Sequence, residues 1–176
     1  MRRNDLLVTI LFSAINIIVF VLQLCGVMSV SAFGILPSLV RQGQYYRIIT
    51  GSLMHASYRH IGANLFSFLN IGSYCELRTN RRGYLTAILL SMLTAGLAIT
   101  LFSDSYTVGF SGVVFGIMGY YAVLLYKNDG RWDEVEKSTL ARMLIPNVII
   151  SLMPGVSWAG HLGGFIGGVI AGLLYI

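Results

Sequence analysis

The chain has 176 residues, 56% of them hydrophobic and only 11% charged, with a formal net charge of +5. A soluble domain of this size needs far less apolar sequence, so the composition excludes one and predicts an all-α polytopic membrane protein. No basic cluster interleaved with aromatics points to nucleic acid. Cys25 and Cys75 have no metal-ligand spacing.

In chain order, residues 1–5 form a short charged start and residues 6–25 a first apolar span. Val30-Ser31-Ala32 resembles a signal-peptide cleavage site. The apolar run before it exceeds the roughly 7–15 residues of a signal core, so a retained span is expected. Residues 26–59 carry Pro37, Arg41, Arg47, Arg59 and the pair Tyr45-Tyr46. This stretch is too polar to span and predicts an interfacial loop with short amphipathic helices, its tyrosines at headgroup level. Further spans are expected at about 60–78, 84–102, 111–126, 138–153 (interrupted by Pro146) and 156–176, giving one domain over 1–176. A hydrophilic connection at 127–142 separates the fourth and fifth.

Six spans place both termini on one side of the bilayer. That side holds Arg2, Arg3, Arg78, Arg81, Arg82, Lys127, Arg131, Lys137 and Arg142, nine of the twelve basic residues. The positive-inside rule makes it cytoplasmic and sets the long first loop, the 103–110 loop and the 153–156 turn outside. Cys25 and Cys75 then fall near opposite faces, which argues against a disulfide.

The fourth span, roughly 16 residues, is about 24 Å long, shorter than a bilayer core of about 30 Å. Ser111 therefore begins its helix below the membrane surface, where irregular backbone is tolerated only against protein or a wet cavity. Serine and glycine in such helices ordinarily serve close packing, and Gly112-xxx-Gly116 fits that pattern. Other polar residues, however, fall at the same depth. His60 and Asn64 share a face at the outer end of the second span. His161 lies about one turn into the sixth. Each alone has a structural account; convergence at one depth in the outer leaflet points to a functional site. Gly160, Gly164, Gly168 and Gly172 leave one face of the sixth span without side chains, matched by Gly112, Gly116 and Gly119 on the fourth. Close approach of these faces would bring Ser111 to His161.

These residues carry a resemblance. Gly109-Phe110-Ser111-Gly112 at the start of span four, His60-xxx-Asn64 in span two, and Ala159-Gly160-His161 with its glycine ladder in span six resemble the rhomboid intramembrane serine proteases. The resemblance covers nearly the whole chain and implies a compact six-helix bundle. It also implies Ser111 as nucleophile, His161 as general base, and an oxyanion hole of Asn64, His60 and the Ser111 backbone N–H, with Gly109, Gly112 and Phe115 in support. Two departures are visible: Tyr46-Arg47 stands where the family commonly has Trp-Arg, and Phe115 where several relatives have a tyrosine against the histidine.

The chemistry agrees with that implication. A serine hydroxyl is a weak nucleophile until a base accepts its proton. His161, desolvated among apolar helices, is expected to stay neutral, as a base must. None of the seven acidic residues lies near the outer end of span six, so a Ser–His dyad is expected, its imidazole oriented by packing against Phe115. The N-terminal amides of a helix lack partners, which leaves the Ser111 N–H free for an oxyanion, with the Asn64 amide as a side-chain donor.

Glu76, at the inner end of span two, is expected to pair with a nearby arginine or cap the 78–83 loop. Arg47 is expected to fix the first loop, and His55 to make a structural hydrogen bond. The expected activity is cleavage of single-span membrane-protein substrates near the outer leaflet of a bacterial inner membrane, with no cofactor. Two other classes stay open: a non-catalytic rhomboid-like protein that binds membrane helices, and a metal or haem site of His55, His60 and His161. No carboxylate second shell supports the latter. The sequence names neither the substrate nor the oligomeric state.

Overall fold

The computed structural model describes residues 6–127, 134–153 and 155–176. Arg2, Arg3, Asp5, Asp129, Arg131 and Asp133, counted above among the basic and acidic residues, lie outside the described residues. Among those described, the chain is all helix: α1 (Leu7–Leu24), α2 (Val30–Phe33), α3 (Pro37–Arg41), α4 (Tyr46–Leu53), α5 (Tyr58–Arg78), α6 (Arg81–Phe102), α7 (Ser111–Lys127), α8 (Glu134–Ser151) and α9 (Trp158–Tyr175). The expected spans correspond to α1, α5, α6, α7, α8 and α9, with α8 beginning four residues earlier than expected. Three of these, α1, α6 and α9, are long and apolar enough to cross a membrane by length and composition. The interfacial loop folds into the short helices α2, α3 and α4.

Capping explains several helix starts. Ser57 accepts from the His60 amide, Asn80 from the Gly83 amide and Ser157 from the Gly160 amide. The outward surface is apolar, with Leu85, Leu89, Leu93, Leu97 and Leu101 exposed at four-residue spacing on α6. Leucines facing outward along a whole helix suit lipid as the surrounding solvent.

At the centre stands α7, every residue from Gly112 to Tyr121 buried, packed against α5, α6 and α9. Its closest neighbour is α9, and the reason is glycine. A side chain on Gly164 would collide with the Gly112 carbonyl, and one on Gly168 with the Gly116 carbonyl. The α9 helix also has a second glycine face, which the four-residue ladder did not reveal. Gly163 lies against the Thr94 carbonyl and Gly167 against the Leu90 carbonyl of α6. The α9 backbone is thus wedged between two helices.

Glu76 corrects its expected role. Among the described residues it neither pairs with an arginine nor caps the 78–83 loop. Buried at 3% exposure, its carboxylate accepts from the Val8 and Thr9 amides, both at 2.8 Å. It therefore caps the N-terminus of α1, where two amides would otherwise be unsatisfied and a negative charge is favoured. Thr9 Oγ1 and Tyr84 Oη hydrogen-bond at 2.9 Å beside it.

Arg47 is buried and braces the first loop. Its Nη1 donates to the carbonyls of Ser31 and Gly34, and its Nε to Gln44 Oε1. The loop is also stitched to the segment before α7 by paired backbone bonds between Ile35 and Thr107, both 2.9 Å.

Candidate active site

The 103–110 segment sets the depth at which α7 begins. Gly109 donates its amide to the Gly51 carbonyl at 3.0 Å and adopts a φ of 125°, a conformation that suits glycine. A Cβ there would also press on the His60 ring. Ser111 follows as the first residue of α7.

On α9, His161 lies one turn beyond its Ser157 cap. Ser111 Oγ and His161 Nε2 are 2.9 Å apart, a hydrogen bond between two helices whose glycine faces meet. The imidazole is 7% exposed and stacks on Phe115, centroids 4.2 Å apart and planes 12° apart. Its other nitrogen is also engaged: Nδ1 lies 2.5 Å from Ser151 Oγ, at the end of α8. Ser151 was not anticipated from sequence. Nothing marks it there among the apolar residues of a weak, proline-interrupted span.

His60 and Asn64 lie on one face of α5 behind Gly109. His60 lines the cavity that contains Ser111 and His161. Asn64 Nδ2 is buried and has no hydrogen-bond partner among the described residues. Such an orphan donor is costly unless something accepts from it during function. The cavity has a volume of about 550 Å³ and is also lined by Tyr106, Ser157 and Trp158.

His55 is buried in the connection before α5, its Nδ1 3.1 Å from the Leu53 carbonyl. Its backbone amide and carbonyl are both held by the Gln23 side-chain amide. Burial, and secondarily the neighbouring His60, pushes its pKa down to about 4, so it is neutral at pH 7. Both nitrogens of His161 face serine hydroxyls, and His55 Nδ1 faces a carbonyl. Among the described residues no group of three His, Cys, Asp or Glu side chains is arranged to hold a metal ion. Asp104, the acid nearest this side, is exposed and ion-paired to Arg41 at 2.7 Å.

The fold and the site define an all-helical membrane protein with a part-buried serine–histidine pair between two glycine-packed helices. The family model described as Rhomboid domain matches residues 42–176, and the chain belongs to the rhomboid family. It is similar to Rhomboid protease GluP of Bacillus subtilis (strain 168), 28% identical over 174 residues that cover 93% of this chain and 34% of that protein. It is also similar to Rhomboid protease GlpG of Pectobacterium atrosepticum, 28% identical over 166 residues covering 92% of this chain and 60% of that protein. With Rhomboid-like protease 1 of Toxoplasma gondii it shares 27% identity over 146 residues, 79% of this chain and 50% of that protein. The chain thus spans from about a third to three fifths of the length of these relatives.

Proposed function

We propose that this chain is an intramembrane serine endopeptidase that cuts transmembrane segments of membrane proteins with a Ser111–His161 pair. The observation that carries the proposal is the 2.9 Å contact between Ser111 Oγ and His161 Nε2 at the edge of a cavity. Membership of a family whose relatives are named as proteases supports it.

In the proposed reaction His161 Nε2 takes the Ser111 hydroxyl proton as Oγ bonds to the scissile carbonyl carbon. The carbonyl π electrons move to oxygen, and the resulting oxyanion accepts from the Ser111 N–H, the Asn64 amide and His60. His161 then returns its proton to the leaving amine as the C–N bond breaks. Water entering through the cavity hydrolyses the acyl-enzyme, again with His161 as base. The orphaned Asn64 Nδ2 supports the oxyanion role, because substrate would supply the acceptor it lacks.

The proposal includes six membrane spans, with both termini cytoplasmic and the site opening toward the outer leaflet of a bacterial inner membrane. The substrates are single-span proteins carrying helix-destabilising residues near that leaflet, since a stable helix hides its carbonyls from attack. The test is cleavage of a single-span substrate with such residues by protein purified in detergent. Wild-type protein should release two fragments and Ser111→Ala none. An intact substrate that nevertheless co-purifies with both proteins would instead favour a helix-binding protein without catalysis.

A further inference from the structure

A neutral imidazole carries one N–H, and only one of its two tautomers can act on Ser111. With the proton on Nδ1, the Nε2 lone pair faces the Ser111 hydroxyl. With the proton on Nε2, a donor faces Oγ and no base is present. Stacking on Phe115 holds the plane of the ring but does not distinguish its two nitrogens. A polar partner at Nδ1 does, and the described structure places Ser151 Oγ there, 2.5 Å away.

Ser151 is arranged to accept. A hydroxyl has one proton and two lone pairs. Ser151 Oγ donates that proton to the Asn147 carbonyl, one turn back on α8, at 3.0 Å. Its lone pairs are then left for Nδ1–H. With His161 protonated on Nδ1, the bonds run in one direction: Ser111 O–H to Nε2, Nδ1–H to Ser151 Oγ, and Ser151 O–H to the Asn147 carbonyl.

We propose that Ser151 is a positioning residue that selects the Nδ1–H tautomer of His161, so that the site is a hydrogen-bonded serine–histidine–serine triad. The claim rests on the reading of His161 as the general base. When Nε2 takes the Ser111 proton, the imidazolium carries N–H on both nitrogens, and Ser151 accepts from Nδ1 in that state as well. No proton passes to Ser151. A neutral oxygen fixes tautomer and orientation without offsetting the imidazolium charge as a carboxylate would, so its effect is smaller than that of a triad aspartate.

The test is ¹⁵N NMR of protein in detergent with ¹⁵N-labelled histidine side chains, the His161 signals being those lost in His161→Ala. Wild-type His161 should be protonated on Nδ1. In Ser151→Ala the Nδ1–H fraction should fall, kcat should drop about tenfold and KM should hold, as expected for loss of one hydrogen bond to the base. Ser151→Thr, which keeps the hydroxyl, should restore both tautomer and kcat. Wild-type His161 protonated on Nε2 would overturn the proposal without any variant, as would an unchanged tautomer and kcat in Ser151→Ala. The tautomer is read without turnover. A wild-type protein that cleaves nothing but loses Nδ1–H in Ser151→Ala would therefore refute the protease reading and retain the tautomer selection.

Discussion

The ring of Phe115 lies flat on the imidazole of His161, centroids 4.2 Å apart and planes 12° apart. Phe115 is one turn after Ser111 on α7, so the helix that presents the hydroxyl also presents the surface against which its base is held. The stack needs an aromatic face and makes no use of a phenol hydroxyl. Phe115→Tyr should keep kcat within about threefold of wild type. Phe115→Ala should lower it by about tenfold or more, since an aromatic pair is worth about 0.5–1.5 kcal/mol beyond its burial and a cavity would remain beneath the histidine. Steady-state cleavage of one substrate by both variants checks this, and a fully active Phe115→Ala would contradict it.

The approach of α7 and α9 depends on backbone meeting backbone. Gly164→Leu and Gly168→Leu should each abolish cleavage, although neither residue does chemistry. Their side chains would strike the Gly112 and Gly116 carbonyls, which cannot yield without separating the helices. Activity assays paired with a folding measure in detergent would check it. Wild-type activity in either variant would mean the Ser111–His161 contact does not depend on that interface.

Glu76 lies far from the chemistry and should matter only to stability. Removing its carboxylate leaves the Val8 and Thr9 amides without their acceptor. Glu76→Ala should cost about 2–6 kcal/mol, at about 1–3 kcal/mol for each of the two buried amides left unsatisfied. Glu76→Gln, which keeps one acceptor oxygen, should cost less. Thermal unfolding in detergent measures both, and a Glu76→Ala variant within about 0.5 kcal/mol of wild type would refute the capping role.

Much of this arrangement was legible in the sequence, and the limits are physical. Apolar runs broken by Asn80, Ser103 and Ser157 mark helices well, because burial and capping are local signals. Ser111, His60, Asn64 and His161 stood out because polar groups are rare in apolar helices. Glu76 was misassigned because its partners are 67 and 68 residues away in sequence, on a helix whose first amides give no side-chain signal. Ser151 was missed because an isolated serine in a membrane helix ordinarily bonds its own backbone. The second glycine face of α9 was hidden because Gly163 and Gly167 interleave with the ladder toward α7.

Orientation is tested by chemistry at the surface. Nine of the twelve basic residues fall on the side assigned to the cytoplasm. A cysteine introduced at position 130 in a Cys25→Ser, Cys75→Ser background should resist an impermeant maleimide in intact cells, whereas one at position 105 should react. Labelling at 130 from outside would invert the topology and with it the proposed outer-leaflet opening.

The most direct measurement of the central claim is covalent labelling of Ser111 by a fluorophosphonate probe in detergent. A serine is reactive toward such a probe only when a base activates it, so the account predicts modification of Ser111 in the wild-type protein and none in Ser111→Ala or His161→Ala. Asn64→Ala should label more slowly. In cleavage it should lose about 10²–10³ in kcat, the usual cost of one oxyanion donor. His55→Gln should remain near wild type if it folds. Folded wild-type protein that is modified at no serine, by the fluorophosphonate or by an isocoumarin, would contradict the claim that His161 activates Ser111.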